Sequence, residues 1–119
     1  MPHSPQDVYK KVLGKKGEKQ VADYLKKQGC KVIERNYRTP FGEADLIAQD
    51  GDEIVFVEVK TRSSNRFGCG KEAVGADKRR RYYQIAQYYG IQTGEEPNAR
   101  FDVAEVDVYG NIEYYKNAF

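Results

Sequence analysis

The segment Ile54-Val55-Phe56-Val57-Glu58-Val59-Lys60 constrains this chain more than any other. Alternation along a strand places Ile54, Phe56, Glu58 and Lys60 on one face and Val55, Val57 and Val59 on the other. Both faces begin apolar, the pattern of a central strand covered on both sides. Into that setting the sequence sets a carboxylate and an ammonium two positions apart. An unpaired buried charge costs several kcal/mol, so chance placement is disfavoured. Two explanations stay open at this point: a structural Glu–Lys pair at a strand end, or a metal ligand beside a cation that stabilises charge on a phosphate.

The flanking segments supply the rest of such a fold. Residues from about Asp7 to Gln28 read as a helix, with Val8, Val12, Leu13, Val21, Ala22 and Leu25 near the 3.6 period and Gly29 as the stop. Gly14 and Gly17 interrupt it, so either the helix starts late or another backbone packs closely there. Lys31–Tyr37, Ala44–Ala48 and Ile54–Val59 read as strands, with a turn at Thr39-Pro40-Phe41-Gly42 and a hairpin connection at Gln49–Glu53. Residues 61–70 read as a loop. A second helix runs from about Asp77, its expected N-cap, to Tyr89, with Gly90 as its stop and a loop over 92–98. Strands at Phe101–Val108 and Ile112–Tyr115 follow. The expected order is α-β-β-β-α-β-β, an α/β fold with a mixed central sheet flanked by helices. At 119 residues it forms a single domain, with residues 1–6 expected to be flexible.

Charge is uneven although the net value is only +2. Residues 1–30 sum to +4 and 61–81 to +5, while 31–60 sum to −3 and 82–119 to −4. Basic blocks around an acidic middle suit a polyanion held at its edges with metal-binding carboxylates between, although a charge run also serves as a solvated helix face. Cys30 and Cys69 lack metal-ligand spacing, and with His3 as the sole histidine a zinc site is excluded; both are expected as free thiols. No apolar run nears the roughly 18 residues of a membrane span, and no signal-peptide core precedes the domain, so a cytoplasmic location without membrane contact is expected.

In Glu43-Ala44-Asp45-Leu46-Ile47, Asp45 shares a face with Ile47. If Asp50-Gly51 is a two-residue turn, Asp45 lies diagonal to Glu58, roughly 7–8 Å away between backbones. If the loop is residues 50–53, Asp45 sits directly opposite Glu58. Either puts both acids on one face, whereas a bulge would separate them. Adjacent carboxylates repel, and a shared cation resolves the repulsion. Glu18 shares the apolar stripe of the first helix with Val21, Ala22 and Leu25, so it faces the sheet. Lys78 shares a stripe with Tyr82, Ile85, Ala86 and Tyr89, placing it inward too; a helix–sheet salt bridge is the plain alternative for both residues. Arg79, Arg80 and Arg81 face outward, as phosphate contacts or as a solvated surface.

Asp45 followed 13 residues on by Glu58-Val59-Lys60 resembles the D…(D/E)-x-K signature of the restriction-endonuclease-like nuclease superfamily, with Ala44 where a proline usually stands. A closer resemblance spans nearly the whole chain. Gly14, Gly17 and Glu18, Arg35-Asn36-Tyr37-Arg38, Gly42–Ile47, Phe56–Arg62, Phe67-Gly68, Ala73-Val74, Lys78, Arg100–Val103 and Asn117-Ala118-Phe119 resemble the bacterial YraN family of uncharacterised proteins. That family is considered similar to archaeal Holliday-junction resolvases.

The resemblance implies a nuclease-type fold with Asp45 and Glu58 as metal ligands and the Val59 carbonyl as a third. Lys60 would orient water or stabilise the transition state, and Glu18 would support the metal site. Arg62 and Lys78, with Arg79 and Arg80, are candidate phosphate contacts. One or two Mg²⁺ (or Mn²⁺) ions and a nucleic-acid partner, DNA ahead of RNA, follow, and a homodimer is left open by analogy. Two other functions compete: a nucleic-acid-binding module with a vestigial site, and a protein-interaction factor suggested by Tyr82-Tyr83, Tyr88-Tyr89 and Tyr114-Tyr115.

Overall fold

The computed structural model describes residues 5–62, 75–96 and 98–119, with side chains from residue 14 onward. His3, Cys69, the loop beyond Arg62, Phe67-Gly68, Ala73-Val74, residues 1–4 of the segment expected to be flexible, and the side chains of Val8, Val12 and Leu13 lie outside the described residues, whereas Pro5 and Gln6 belong to the first helix. Helix α1 (Pro5–Lys27) leads into strands β1 (Lys31–Thr39), β2 (Gly42–Asp50) and β3 (Glu53–Thr61). Helix α2 (Ala76–Thr93), β4 (Asn98–Val106) and β5 (Ile112–Tyr115) complete the chain. The strands lie side by side as β1-β2-β3-β4-β5, antiparallel except for the parallel β3/β4 pair that α2 connects.

The expected order and the mixed sheet are both present, with longer elements. Each strand of the β2–β3 hairpin reaches the turn, which is Gly51-Asp52 rather than Asp50-Gly51, and Asp50 pairs with Glu53. Gly51 adopts φ +62, which a side chain at that corner would resist. Helix α2 does not stop at Gly90. It continues to Thr93 and ends at Gly94, left-handed at φ +74, whose N–H donates to the Gly90 carbonyl. Thr93 Oγ1 donates to the Tyr89 carbonyl at 2.9 Å, so a side chain satisfies one terminal carbonyl of this last turn. At the other end Gly75 is the N-cap and Asp77 lies inside the first turn. Strand β4 starts and ends earlier than expected, because it runs in register with β3 from Glu53↔Asn98 to Thr61↔Val106.

Two helices cover the two faces. Val21, Ala22 and Leu25 of α1 pack on Leu46, Ala48, Val55, Val57, Ala104 and Val106. Tyr82, Ile85 and Ala86 of α2 pack on Ala44, Ile47 and Phe56. Val55, Phe56 and Val57 are fully buried, which is the two-sided covering their composition demands. Among the described residues no helix is long and apolar enough to cross a membrane.

The glycines inside α1 do not break it; Gly17 is where the helix meets the sheet. A Cβ there would stand 2.7 Å from Thr61 Cγ2 and 3.7 Å from Val59 Cγ1. Alanine ordinarily improves a helix interior by about 1 kcal/mol over glycine. Here overpacking costs about 1–3 kcal/mol, so Gly17→Ala is expected to lower the urea midpoint. Gly14, which has nothing within 4 Å of its Cβ position, is the control: Gly14→Ala should raise it.

Candidate active site

Parallel β3 and β4 end together, and α2 crosses back over their carboxyl ends, which is where the chemistry-bearing residues gather. Glu58 points to the α2 face. Its Oε1 accepts from Lys78 Nζ at 2.6 Å and its Oε2 from the Tyr82 hydroxyl at 2.5 Å. Lys78 and Tyr82 are four apart on one stripe of the helix, so a single helix face holds both oxygens of one carboxylate. The inward position expected for Lys78 is present, and it takes the form of the helix–sheet ion pair. Tyr82 is 1% exposed. Burial, then the adjacent carboxylates Glu58 and Asp45, hold its hydroxyl well above the usual phenol range.

Asp45 sits where β2 stops pairing with β3. Leu46↔Val57 is the last paired position, and continuing that register would set Asp45 opposite Glu58. Simple alternation fails there: Ala44 packs with the α2 cluster and Leu46 with the α1 cluster, two residues apart on opposite faces. Strand β1 carries a matching irregularity, since Asn36 adopts φ +52. The Asp45 carboxylate therefore turns into the gap and accepts the Val59 N–H at 2.8 Å, taking the place of a ladder carbonyl. The register is the one expected of a loop over 50–53, and the Glu58 and Asp45 carboxylates both lie near the Tyr82 hydroxyl. Burial, with the charges of Glu58, Glu18 and Glu43 acting in the same direction and the Val59 N–H against them, pushes the Asp45 carboxyl up to about 7. Val59 is tied to Asp45 through its N–H; the ligand role expected of its carbonyl is a separate matter.

Glu18 reaches the same place from α1. With its amide nitrogen turned inward, Asn36 donates to Glu18 Oε1 at 3.1 Å and to Glu43 Oε1 at 2.9 Å. Half-burial raises the Glu18 carboxyl, Asn36 works against it and Glu43 with it. Lys60 is half-buried two residues after Glu58, beside Glu105 in the parallel ladder. Burial, then the neighbouring ammonium of Lys78, push its pKa down, while Glu58 pulls it up. Arg62 Nη2 donates to Glu105 Oε1 at 2.7 Å. Arg79 and Arg80 are exposed, and Arg80 pairs with Asp77 at 3.4 Å. Arg81 lies against the turn between β1 and β2, its Cδ 2.6 Å from where a Gly42 Cβ would be.

Alternation gathers Asp45, Glu58 and Lys60 and the family resemblance adds Glu18, whereas their partners Tyr82, Asn36, Glu43 and Glu105 emerge only in the structure. Tyr82 carried a signal, its place on the Lys78 stripe; the other three carried none that periodicity exposes. Among the described residues no three His, Cys, Asp or Glu side chains form a ready-made metal cluster. The donor set still fits Mg²⁺, which takes one or two carboxylates and completes its shell with water and phosphate oxygens. Asp45, surrounded by acids and held above the usual carboxylate range, is the group that a cation would relieve.

Comparison with known proteins agrees with the architecture. The model of the uncharacterised protein family UPF0102 matches residues 17–106. A UPF0102 protein of Syntrophus aciditrophicus (strain SB) is 48% identical over 111 residues, covering 89% of this chain and 87% of its own length. One from Thermodesulfovibrio yellowstonii is 45% identical over 107 residues, covering 90% and 95% respectively. Among solved structures, Archaeoglobus fulgidus Hjc, a Holliday junction resolvase, superposes with a TM-score of 0.56 over 83% of this chain and 72% of its own, at 22% identity. At that identity the likeness is one of fold.

Proposed function

On the premise that this chain belongs to the UPF0102 (YraN) family, we propose that it is a metal-dependent endonuclease that hydrolyses nucleic-acid phosphodiesters. The observation that carries the reading is Asp45: a buried carboxyl pushed up to about 7, set within the field of Glu58, Glu18 and Glu43. Asp45 and Glu58 would hold one or two Mg²⁺ or Mn²⁺ ions, and a bound ion supplies Lewis-acid polarisation of the phosphate and a lowered water pKa. The chain's own groups do the remainder. Lys78 and Tyr82 fix the orientation of Glu58. Lys60 presents a half-buried ammonium to the negative charge that builds on the phosphoryl oxygens. Branched DNA leads the substrate classes by fold analogy, since the superposed protein is a junction resolvase.

The test is purified protein with Mg²⁺ or Mn²⁺ on four-way, flapped and linear DNA and on RNA, beside Asp45→Ala. Metal-dependent cleavage that drops by about 10²–10³-fold in the variant is expected. Cleavage equal in both proteins sinks the assignment. One observation favours a second reading, a nucleic-acid-binding module without turnover: both Glu58 oxygens are already occupied by Lys78 and Tyr82. That reading predicts salt-sensitive DNA binding with no heat of Mg²⁺ association.

A further inference from the structure

Among the described residues, buried Glu105 stands nearest to Lys60 of the charges that the chemistry above does not use. Glu105 is fully buried on β4, in register with Lys60. Its Oε1 accepts from Arg62 Nη2, while its Oε2 and the Arg62 Nε are buried without hydrogen-bond partners among the described residues. Taking a carboxylate out of water costs several kcal/mol, and an ion pair recovers that only when its remaining lone pairs and protons are satisfied. Here they are not, so the pair is a poor stabiliser. It is a good clamp. Arg62 follows directly on β3, its main-chain N–H donates to the Val106 carbonyl at 2.8 Å, and 34% of its side chain stays exposed. Val103 packs on the α2 side of the sheet beside Phe119, whereas Ala104 and Val106 pack toward α1, so Glu105 draws the guanidinium to the face that carries Glu58. The freedom a surface arginine loses on gripping a ligand is here lost in advance.

Resting on the nucleic-acid reading of the site, we infer that Glu105 is a positioning residue for Arg62, and that the pair forms a subsite for a backbone phosphate of a polynucleotide next to the one at Lys60. Lys60 and Arg62 are two residues apart, about 6.6 Å along an extended chain, a step comparable with one nucleotide. Simple electrostatics predicts the opposite of positioning. Removing a negative charge beside a phosphate site should tighten binding, whereas removing the clamp should weaken it.

The experiment is fluorescence anisotropy with labelled single-stranded and duplex DNA in EDTA, at several salt concentrations, for wild type, Glu105→Gln, Arg62→Ala and the double variant. Each single change is expected to weaken binding about tenfold and to flatten the salt dependence by about one phosphate contact. The double variant should bind like Arg62→Ala alone, and Glu105→Gln should melt at or above the wild-type temperature. Binding by Glu105→Gln as tight as wild type, or an equal further loss on top of Arg62→Ala, overturns the subsite alone. So does a Glu105→Gln chain that melts far below wild type, for the pair is then a structural bond. A wild type that binds no DNA overturns the nucleic-acid reading of the whole site and the subsite with it.

Discussion

Asp45→Asn is expected to raise the melting temperature of the metal-free protein at pH 8 and to leave it unchanged near pH 4. Burial and three neighbouring acids push the Asp45 carboxyl from an ordinary 3.8 up to about 7 in the fold. Between those two values the native state holds a proton that the unfolded state has released. Stability from this group is therefore complete below about pH 4, declines as pH rises, and is lost above about pH 7. The shift corresponds to a ceiling of about 4 kcal/mol at alkaline pH. Asparagine keeps an oxygen for the Val59 N–H and carries no charge, so it escapes the penalty. Divalent ion should act in the opposite sense. If Asp45 is a ligand, Mg²⁺ stabilises wild type by mass action and leaves the asparagine variant untouched. Calorimetric melts of both proteins across pH, with Mg²⁺ and with EDTA, read both effects. A difference between them that does not vary with pH removes Asp45 from the list of strained acids, and equal stabilisation of both by Mg²⁺ removes it as a ligand.

Arg100→Met is expected to be the most damaging single change outside the apolar core, at about 3–5 kcal/mol. Arg100 is 6% exposed at the start of β4, the end of the sheet opposite the candidate active site. Its Nε and Nη2 donate to Asp102, and its Nη1 donates to Asp50 at 2.9 Å and to Glu53 at 3.0 Å. Asp102 is fully buried and also accepts from the Tyr114 hydroxyl at 2.6 Å and the Asn117 N–H at 3.0 Å. One guanidinium thus ties the β2–β3 turn to β4 and β5. Without it, Asp102 is a buried anion held by two neutral donors. Urea melts should show a lower midpoint with an unchanged slope, and adding Asp102→Asn should recover part of the loss. A cost below about 1 kcal/mol would mean that water reaches these carboxylates freely.

The resemblance of Arg100–Val103 to the family pattern made that segment conspicuous without indicating its work. Nothing local says that an arginine on β4 meets acids from residues 50 and 53, because the meeting depends on the parallel register Glu53↔Asn98. The same holds for Glu105 and Lys60. Parallel neighbours are joined through a helix, and the relative sliding of two such strands is set by how α2 packs across them. Short-range periodicity carries no trace of it.

Element order and facing were legible for the opposite reason. The alternation in Ile54–Lys60, the stripe Glu18-Val21-Ala22-Leu25 and the stripe from Lys78 to Tyr89 follow from the pitch of one strand or one helix, which every residue within it shares. Those patterns turn Glu18 toward the sheet and set Asp45, Glu58 and Lys60 on one face, while only the family resemblance joins Glu18 to them. Tertiary structure decided where their charged ends turn. Asp45 accepts the Val59 N–H, because β2 leaves β3 at that residue and an otherwise unpaired N–H inside a low-dielectric core must find an acceptor. Glu58 is engaged by Lys78 and Tyr82 because the helix that returns the chain to β4 has to pass over it.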